Sequence, residues 1–423
     1  MKKKSYSKWI LLSLVTVVSL YCLTISSTVR ADYNVHPRIL LTPERITRIQ
    51  TQHYSADSYE WQQLLRGASR SDMDAARAQA FVYAITGDTS YADSAIALLE
   101  EEMQDPMTVG FNSVGGKFFN MACGFDWLYN YPGFTAELKQ QMIDYVNAVP
   151  MEGSGKWNWY PDTVYMNGAA KPLYGPPVWG LATYGDNPNA DIYIDNGYQN
   201  RWVYIRNALG FSEINHAVNR DGDQPKGMDY GSGYYSQIMT YLDATKTATN
   251  VNFFDEAPAL KEYLEWFAKS YYYTEDFIRR PEHGHNAHKE EGYHPTAIMA
   301  LRTLIDNYSD TTEAKWAQWW LNNTEEAQSA ANDYRYRGPE GVIFTNYDQA
   351  EQNFSSEPLA YFSEGNGSWV ARSDWPAYGQ EPMTYATFRA GNWTWFSQTH
   401  WDQGDFDLYS HGAPLLVDGG TYE

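Results

Sequence analysis

Residues 399–422, THWDQGDFDLYSHGAPLLVDGGTY, place His400 and Asp418 near the ends of two successive strand-like runs. A hairpin would bring them together across its width, and a neutral imidazole beside a carboxylate suits Zn²⁺ or a similar divalent ion. The same spacing serves a His–Asp hydrogen bond in a turn, because a structural metal site normally has about four ligands. Residues 221–234, DGDQPKGMDYGSGY, set Tyr230 and Tyr234 one helical turn apart. A phenol with an ordinary pKa near 10 takes a proton when that value is depressed and returns it to a leaving oxygen. A Tyr at a helix start also serves simply as packing. Residues 165–171, YMNGAAK, offer Asn167, a residue type that caps helix N-termini well. Residues 283–294, HGHNAHKEEGYH, are dense in His and Glu and could hold a metal or a sugar carboxylate. Their spacing fits no standard structural zinc pattern, which favours a solvated rim loop.

These groups need elements to hold them. From about residue 32 to 332 the pattern is mostly helical. Residues 71–87 begin with Ser and Asp, run through helix formers and end in Gly. Residues 91–103, 135–149, 236–249, 259–272 and 296–308 repeat that character. Helix pairs joined by turn-rich connections predict an all-α array, closed as a toroid or open as a solenoid. Residues 157–195 and 215–233, rich in Gly, Pro, Asn and Tyr, read as long functional loops. After Gly338 the texture changes: residues 341–344, 368–372, 384–389, 394–398 and 405–417 read as strands.

The chain carries a net charge of −21, which becomes −26 once the five cations of residues 1–31 are set aside. Such acidity disfavours nucleic acid, which wants a basic face. It also repels polyanions at long range, so a uronate site needs local cationic or neutral donors. Residues 1–31 read as an export signal, with Lys2, Lys3, Lys4 and Lys8, an apolar run over 10–23, and a small-residue site at Ala31. That run is short of the about 18–20 residues of a membrane span, so no stable span is expected after cleavage. The product would be secreted, periplasmic or at the cell envelope. Only Cys123 remains, so no intrachain disulfide is possible. The abundant Tyr and Trp suit stacking on sugar rings as well as core packing.

Residues 399–422, preceded by 368–374 (SWVARSD), resemble the hallmark of heparinase II/III-like polysaccharide lyases, the alginate lyase and heparinase type. There, His-x-Asp precedes a short strand, then Gly-x-Pro-Leu, then Asp-x-Gly-x-Tyr. The resemblance implies a multidomain α+β chain: an N-terminal (α/α) toroid over 32–340, then an incomplete antiparallel β-sandwich over 341–423, in a C-terminally truncated fragment. It implies β-elimination on an anionic, uronic-acid-containing polysaccharide in the cleft between the two. Asn167 matches the Asn that neutralises the substrate carboxylate. Counting from Asp221 and Gly222, Tyr230 matches the catalytic Tyr, with Tyr234 as runner-up. Lys226 stands where relatives have Glu, and Gln398 where many have a catalytic His. Lys226, Gln398 and Arg372 are substrate-binding candidates. His400 and Asp418 match ligands of a structural divalent ion, zinc by ligand type, whose third ligand is expected beyond residue 423. A uronyl C5-epimerase shares the fold and the proton abstraction. A noncatalytic glycan-binding protein would keep the aromatic cleft.

Overall fold

The computed structural model describes residues 35–107, 113–149, 167–211, 222, 227–270, 272–273, 278–279, 295–323, 338–353, 355–375, 383–391, 404–411 and 413–416. The first element shows how local chemistry starts the fold. Thr42 Oγ1 accepts from Arg45 N at 3.2 Å, and Pro43 occupies the first turn of α1, Pro43–Ile49. The segment before it is buried. His36 Nδ1 lies 2.5 Å from Asp126 Oδ1, and the Asp126 carboxylate accepts the backbone N–H groups of Arg38 and Ile39 at 2.8 and 2.9 Å. Arg38 Nη1 donates to Tyr184 O at 3.0 Å. Arg38 thereby anchors the start of the described chain.

Helices then alternate between two burial patterns. After α2, Tyr59–Ala68, comes α3, Met73–Thr86, capped by Asp72 and closed by Gly87 at φ 74°. It is buried on nearly every face. Its neighbour α4, Thr89–Glu102, buries only the stripe Ala92, Ala95 and Leu99. The contrast recurs in α5, Val114–Leu128, buried almost throughout, and α6, Ala136–Asn147, which buries Leu138, Met142, Ile143 and Val146. A helix apolar all round belongs inside, and one with a single apolar stripe belongs outside. The inner course continues through α7, Asn167–Tyr174, and α8, Pro176–Thr183, with α9, Ala190–Gly197, and α10, Val203–Leu209, following. It then runs through α11, Gly227–Thr249; α12, Glu262–Ser270; α13, Pro295–Asn307; α14, Thr312–Asn323; and α15, Pro339–Ile343. Consecutive inner helices pack together: α3 on α5, α5 on α7 and α8, α7 on α11, and α11 on α13.

The array closes on itself, as a toroid requires. Arg45 Nη1 donates to Asp243 Oδ2 on α11 at 2.7 Å, and its Nη2 donates to Asp306 Oδ2 on α13 at 2.8 Å. Arg48 Nη1 donates to Asp306 Oδ1 at 2.7 Å. His53 Nε2 and Thr345 O are 3.0 Å apart, and α15 packs on α1, α2 and α3. First and last helices are therefore neighbours.

Two stretches differ from the sequence expectation. Residues 341–344 were expected as a strand, but Pro339–Ile343 is α15, a short helix inside the ring closure. Gly341, Val342 and Ile343 are buried there, so a short apolar run suits a buried helix turn as well as a strand. The stretches 157–195 and 215–233 were expected as loops, yet α7, α8 and α9 lie in the first and α11 begins at Gly227 in the second. Packing overrides the low helix propensity of their Gly and Pro residues.

Residues Ala360–Ser363 (β3), Ser368–Arg372 (β4), Thr384–Arg389 (β5), Phe406–Ser410 (β6) and Ala413–Leu416 (β7) form one antiparallel sheet in chain order. (A separate two-residue pairing joins β1, Tyr272–Tyr273, to β2, Ile278–Arg279.) The sheet buries Val370, Tyr385 and Tyr409 on one face. Its other face exposes Phe362, Trp369, Phe388 and Phe406, each in register with the next.

Asp306 is held below the usual carboxylate range: burial pushes it up, but Arg45 and Arg48 outweigh that. A depressed folded value means the stabilisation is complete above the unfolded value, about 3.9, and is lost as pH falls through the lower folded value. Asp306→Asn should cost about 3–5 kcal/mol at pH 7 in urea denaturation, the usual penalty for breaking a buried pair. The difference from the unsubstituted protein should shrink below about pH 4. Equal stability at pH 7 would remove this network from the ring closure.

Candidate functional site

The inner helices enclose a cavity of about 470 Å³. Its wall combines Arg70, Asp74 and Arg77 near the start of α3 with Gly116, Phe119 and Asn120 near the start of α5. Tyr174 of α7, then Ser236, Gln237 and Thr240 of α11, continue it, and Met299, Thr303, Glu340 and Phe344 complete it. Its size is that of a small-molecule site, about 300–1,000 Å³.

Asn167 opens α7, and Tyr230 lies in the first turn of α11. The two helices pack on each other, and α7 contributes Tyr174 and α11 contributes Ser236, Gln237 and Thr240 to the cavity wall. Gly222 lies against the start of α12. Its φ is +83°, and a Cβ there would lie 2.2 Å from Glu262 O, so only glycine fits. This is the glycine of the Asp221, Gly222 pair from which Tyr230 is counted.

Tyr234 is 3% exposed and belongs to the hydrophobic core. Lys226, Gln398, His400, Asp418 and the 283–294 cluster lie outside the described residues. Among the described residues no group of three or more His, Cys, Asp or Glu could hold a metal. Arg372 is placed at the seam between ring and sheet, away from the cavity lining. It donates to Lys269 O at the end of α12, while Tyr385 Oη donates to Ser270 O. These two side chains satisfy carbonyls that a helix C-terminus leaves open. The Arg372 guanidinium also stacks 4.3 Å from the Trp375 ring centre. Lys269 sits 4.4 Å over Trp316 and pairs with Glu265 and Glu357 at 2.8 and 3.3 Å.

Inside the cavity, Asn120 Nδ2 donates to Asp74 Oδ1 at 3.0 Å, and Arg77 pairs with Glu340. Burial pulls the Arg77 guanidinium down, yet Glu340 and Asp74 outweigh it and hold it charged. Burial pushes the Tyr174 phenol well above its ordinary value, so it stays neutral and keeps its O–H as a hydrogen-bond donor. Lys171, one turn after Asn167, is pulled down by burial. Sequence reasoning missed Arg77, Asn120, Tyr174 and Gln237. Each sits in an ordinary helical pattern, and only ring closure brings residues so distant in sequence to one wall.

No family model and no curated protein matches this chain. Among solved structures it is similar to a mutant of heparan sulfate lyase HepC from Pedobacter heparinus, at 16% identity and a TM-score of 0.46. The match covers 82% of this chain and 48% of the other, so the chain spans about half that structure's length. No described helix is long and apolar enough to cross a membrane.

Arg372→Met should remove the cap on α12 and destabilise the seam by about 1–3 kcal/mol. Hydrogen exchange in β4 and β5 should accelerate before that of α3 and α5. Unchanged exchange in the sheet would show that the seam does not depend on this side chain.

Proposed function

We propose that the chain is an exported polysaccharide lyase that cleaves a uronic-acid-containing polysaccharide by β-elimination. One observation supports this reading. The helices that carry the Asn and the Tyr singled out by motif, 63 residues apart in sequence, pack on each other, and each contributes residues to the cavity wall. The motif resemblance supports the same assignment.

β-Elimination needs two things of these residues. The C5 proton of a uronate is too weakly acidic until its carboxylate charge is offset. Asn167 supplies neutral N–H donors that stabilise the developing enolate without the cost of burying a cation. Tyr230 serves as the acid–base group, delivering a proton to the O4 leaving oxygen and, in the simplest scheme, first taking the C5 proton. Tyr234, one turn on, is the second candidate for that role. Lys226 and Gln398 remain candidate substrate contacts. A structural divalent ion on His400 and Asp418 belongs to the same proposal, and no step is routed through it. A uronyl C5-epimerase would use the same proton abstraction but return the proton to C5.

Tyr230→Phe removes one hydroxyl, so the loss should fall on kcat with KM nearly unchanged. The readout is absorbance near 230 nm from the unsaturated product, whose appearance also separates a lyase from an epimerase. If Tyr230→Phe keeps full activity and Tyr234→Phe loses it, the register is wrong by one turn. Asn167→Ala should lower kcat/KM on uronate polymers by about 10²–10³, the usual loss for one charge-stabilising donor. Equal rates in mutant and unsubstituted protein would take Asn167 out of the mechanism.

A further inference from the structure

The cavity wall is finished late in the chain. Gly338, Glu340 and Phe344 complete it, and the short helix α15 between them lies across the seam where the ring closes. So short a helix holds little structure by itself, so it stays in place by what grips it. A helix C-terminus leaves carbonyls open, and side chains from three other elements take these up. Arg48 of α1 donates to Ile343 O, Arg302 of α13 to Gly341 O, and His53 to Thr345 O. Arg302 also donates to Thr345 Oγ1, and Gln52 Oε1 accepts from Tyr347 N at 3.1 Å.

Of the three side chains on these carbonyls, only His53 changes charge near neutral pH. It is fully buried in the π-helical turn Gln50–Tyr54 that follows α1. A carbonyl oxygen only accepts, so Nε2 carries the ring hydrogen. Nδ1, 2.8 Å from Ser58 Oγ, is then the acceptor, and Ser58 Oγ accepts in turn from Trp61 N at 3.2 Å. Both nitrogens of the neutral ring are thereby satisfied. A proton on Nδ1 would meet the Ser58 hydroxyl hydrogen and set a buried cation near Arg48 and Arg302, with Glu60 of α2 as the opposing charge. Glu60 is already engaged by Arg302 at 3.4 Å and by the Tyr347 hydroxyl. The other helix against this turn, α3, meets it through Ile85 O, which accepts from Gln50 at 2.8 Å. Burial pulls the His53 imidazole below its ordinary value; the Thr345 carbonyl and Glu60 oppose that, and Arg302 and Arg48 add to it.

We infer that α15 is an acid-released strap: protonation of His53 frees it from the seam and takes Glu340 and Phe344 out of the cavity wall. The neutral ring belongs to the closed state. Closure is therefore fully held above the open-state value of about 6.5 and weakens as pH falls toward the lower closed-state value. One proton limits the change to about tenfold per pH unit.

Hydrogen exchange on the unsubstituted full chain, expressed as protection relative to free-peptide rates at each pH, reads the strap directly. Protection over 341–348 should fall by up to about tenfold per pH unit below about 6.5, while that of α5 holds. Exchange of the imidazole Cε1 hydrogen, followed peptide by peptide in the same samples, gives the titration of His53 itself, whose midpoint should lie below about 6.5. His53→Gln keeps an N–H for Thr345 O but cannot titrate, so its strap protection should stay flat. Four results would each overturn the strap: flat protection in the unsubstituted chain, a parallel fall in α5, a His53 midpoint at or above the ordinary value, or a pH-dependent strap in folded His53→Gln. The first three are read without any substitution, so they decide the matter even where His53→Gln fails to fold.

Discussion

The fold depends on the buried contact of Arg45 with Asp243 and Asp306, shared with Arg48. It ties the first helix to two that follow nearly two hundred residues or more later. Without it, paired helices could stack as an open solenoid, since each pair needs only its neighbours to bury its apolar stripe. The Asp243 side chain is fully shielded, and burying it is tolerable only because a guanidinium meets it with good geometry. A buried ion pair of this kind adds little net stability over an apolar contact. It specifies which helices meet, and that choice makes a ring.

A closed ring has an inside, and the inside is where the chemistry collects. Inner helices present one face to the centre, so residues far apart in sequence line a common wall. The cavity is polar without being charged toward a ligand, because Arg77, Glu340, Asp74 and Asn120 satisfy one another. Such a network holds the wall rigid, since each member's geometry is set by its partners. At the other end of the inner course, α12 ends against the sheet. There the carbonyls of Lys269 and Ser270 are taken up by Arg372 and Tyr385. The sheet is thereby keyed to the same helical framework that forms the cavity wall.

The sheet has two unlike faces. Alternation along β4 and β5 sends Val370 and Tyr385 toward the helices, and Trp369 and Phe388 outward. Because the strands pair without slippage between β3 and β6, the outward aromatic residues align into a row. A single residue of register shift would exchange the two faces.

Local signals were legible from the chain alone. Asp72 and Gly87 marked the ends of α3, and strand-like runs marked β4 and β5. These depend on neighbours within one turn or one strand, so sequence carries them. Asn167 and Tyr230 were singled out by the motif resemblance, a comparison of sequence order and not of local structure. The role of residues 341–344 was not, because a short buried apolar run has no period to distinguish helix from strand. Nor were the helices within 157–195, where packing outweighs Gly and Pro. The cavity wall and the capping role of Arg372 were decided only by the tertiary structure. Both arise from ring closure and from the docking of sheet on helix, contacts between residues 46 to 263 positions apart that no local pattern encodes.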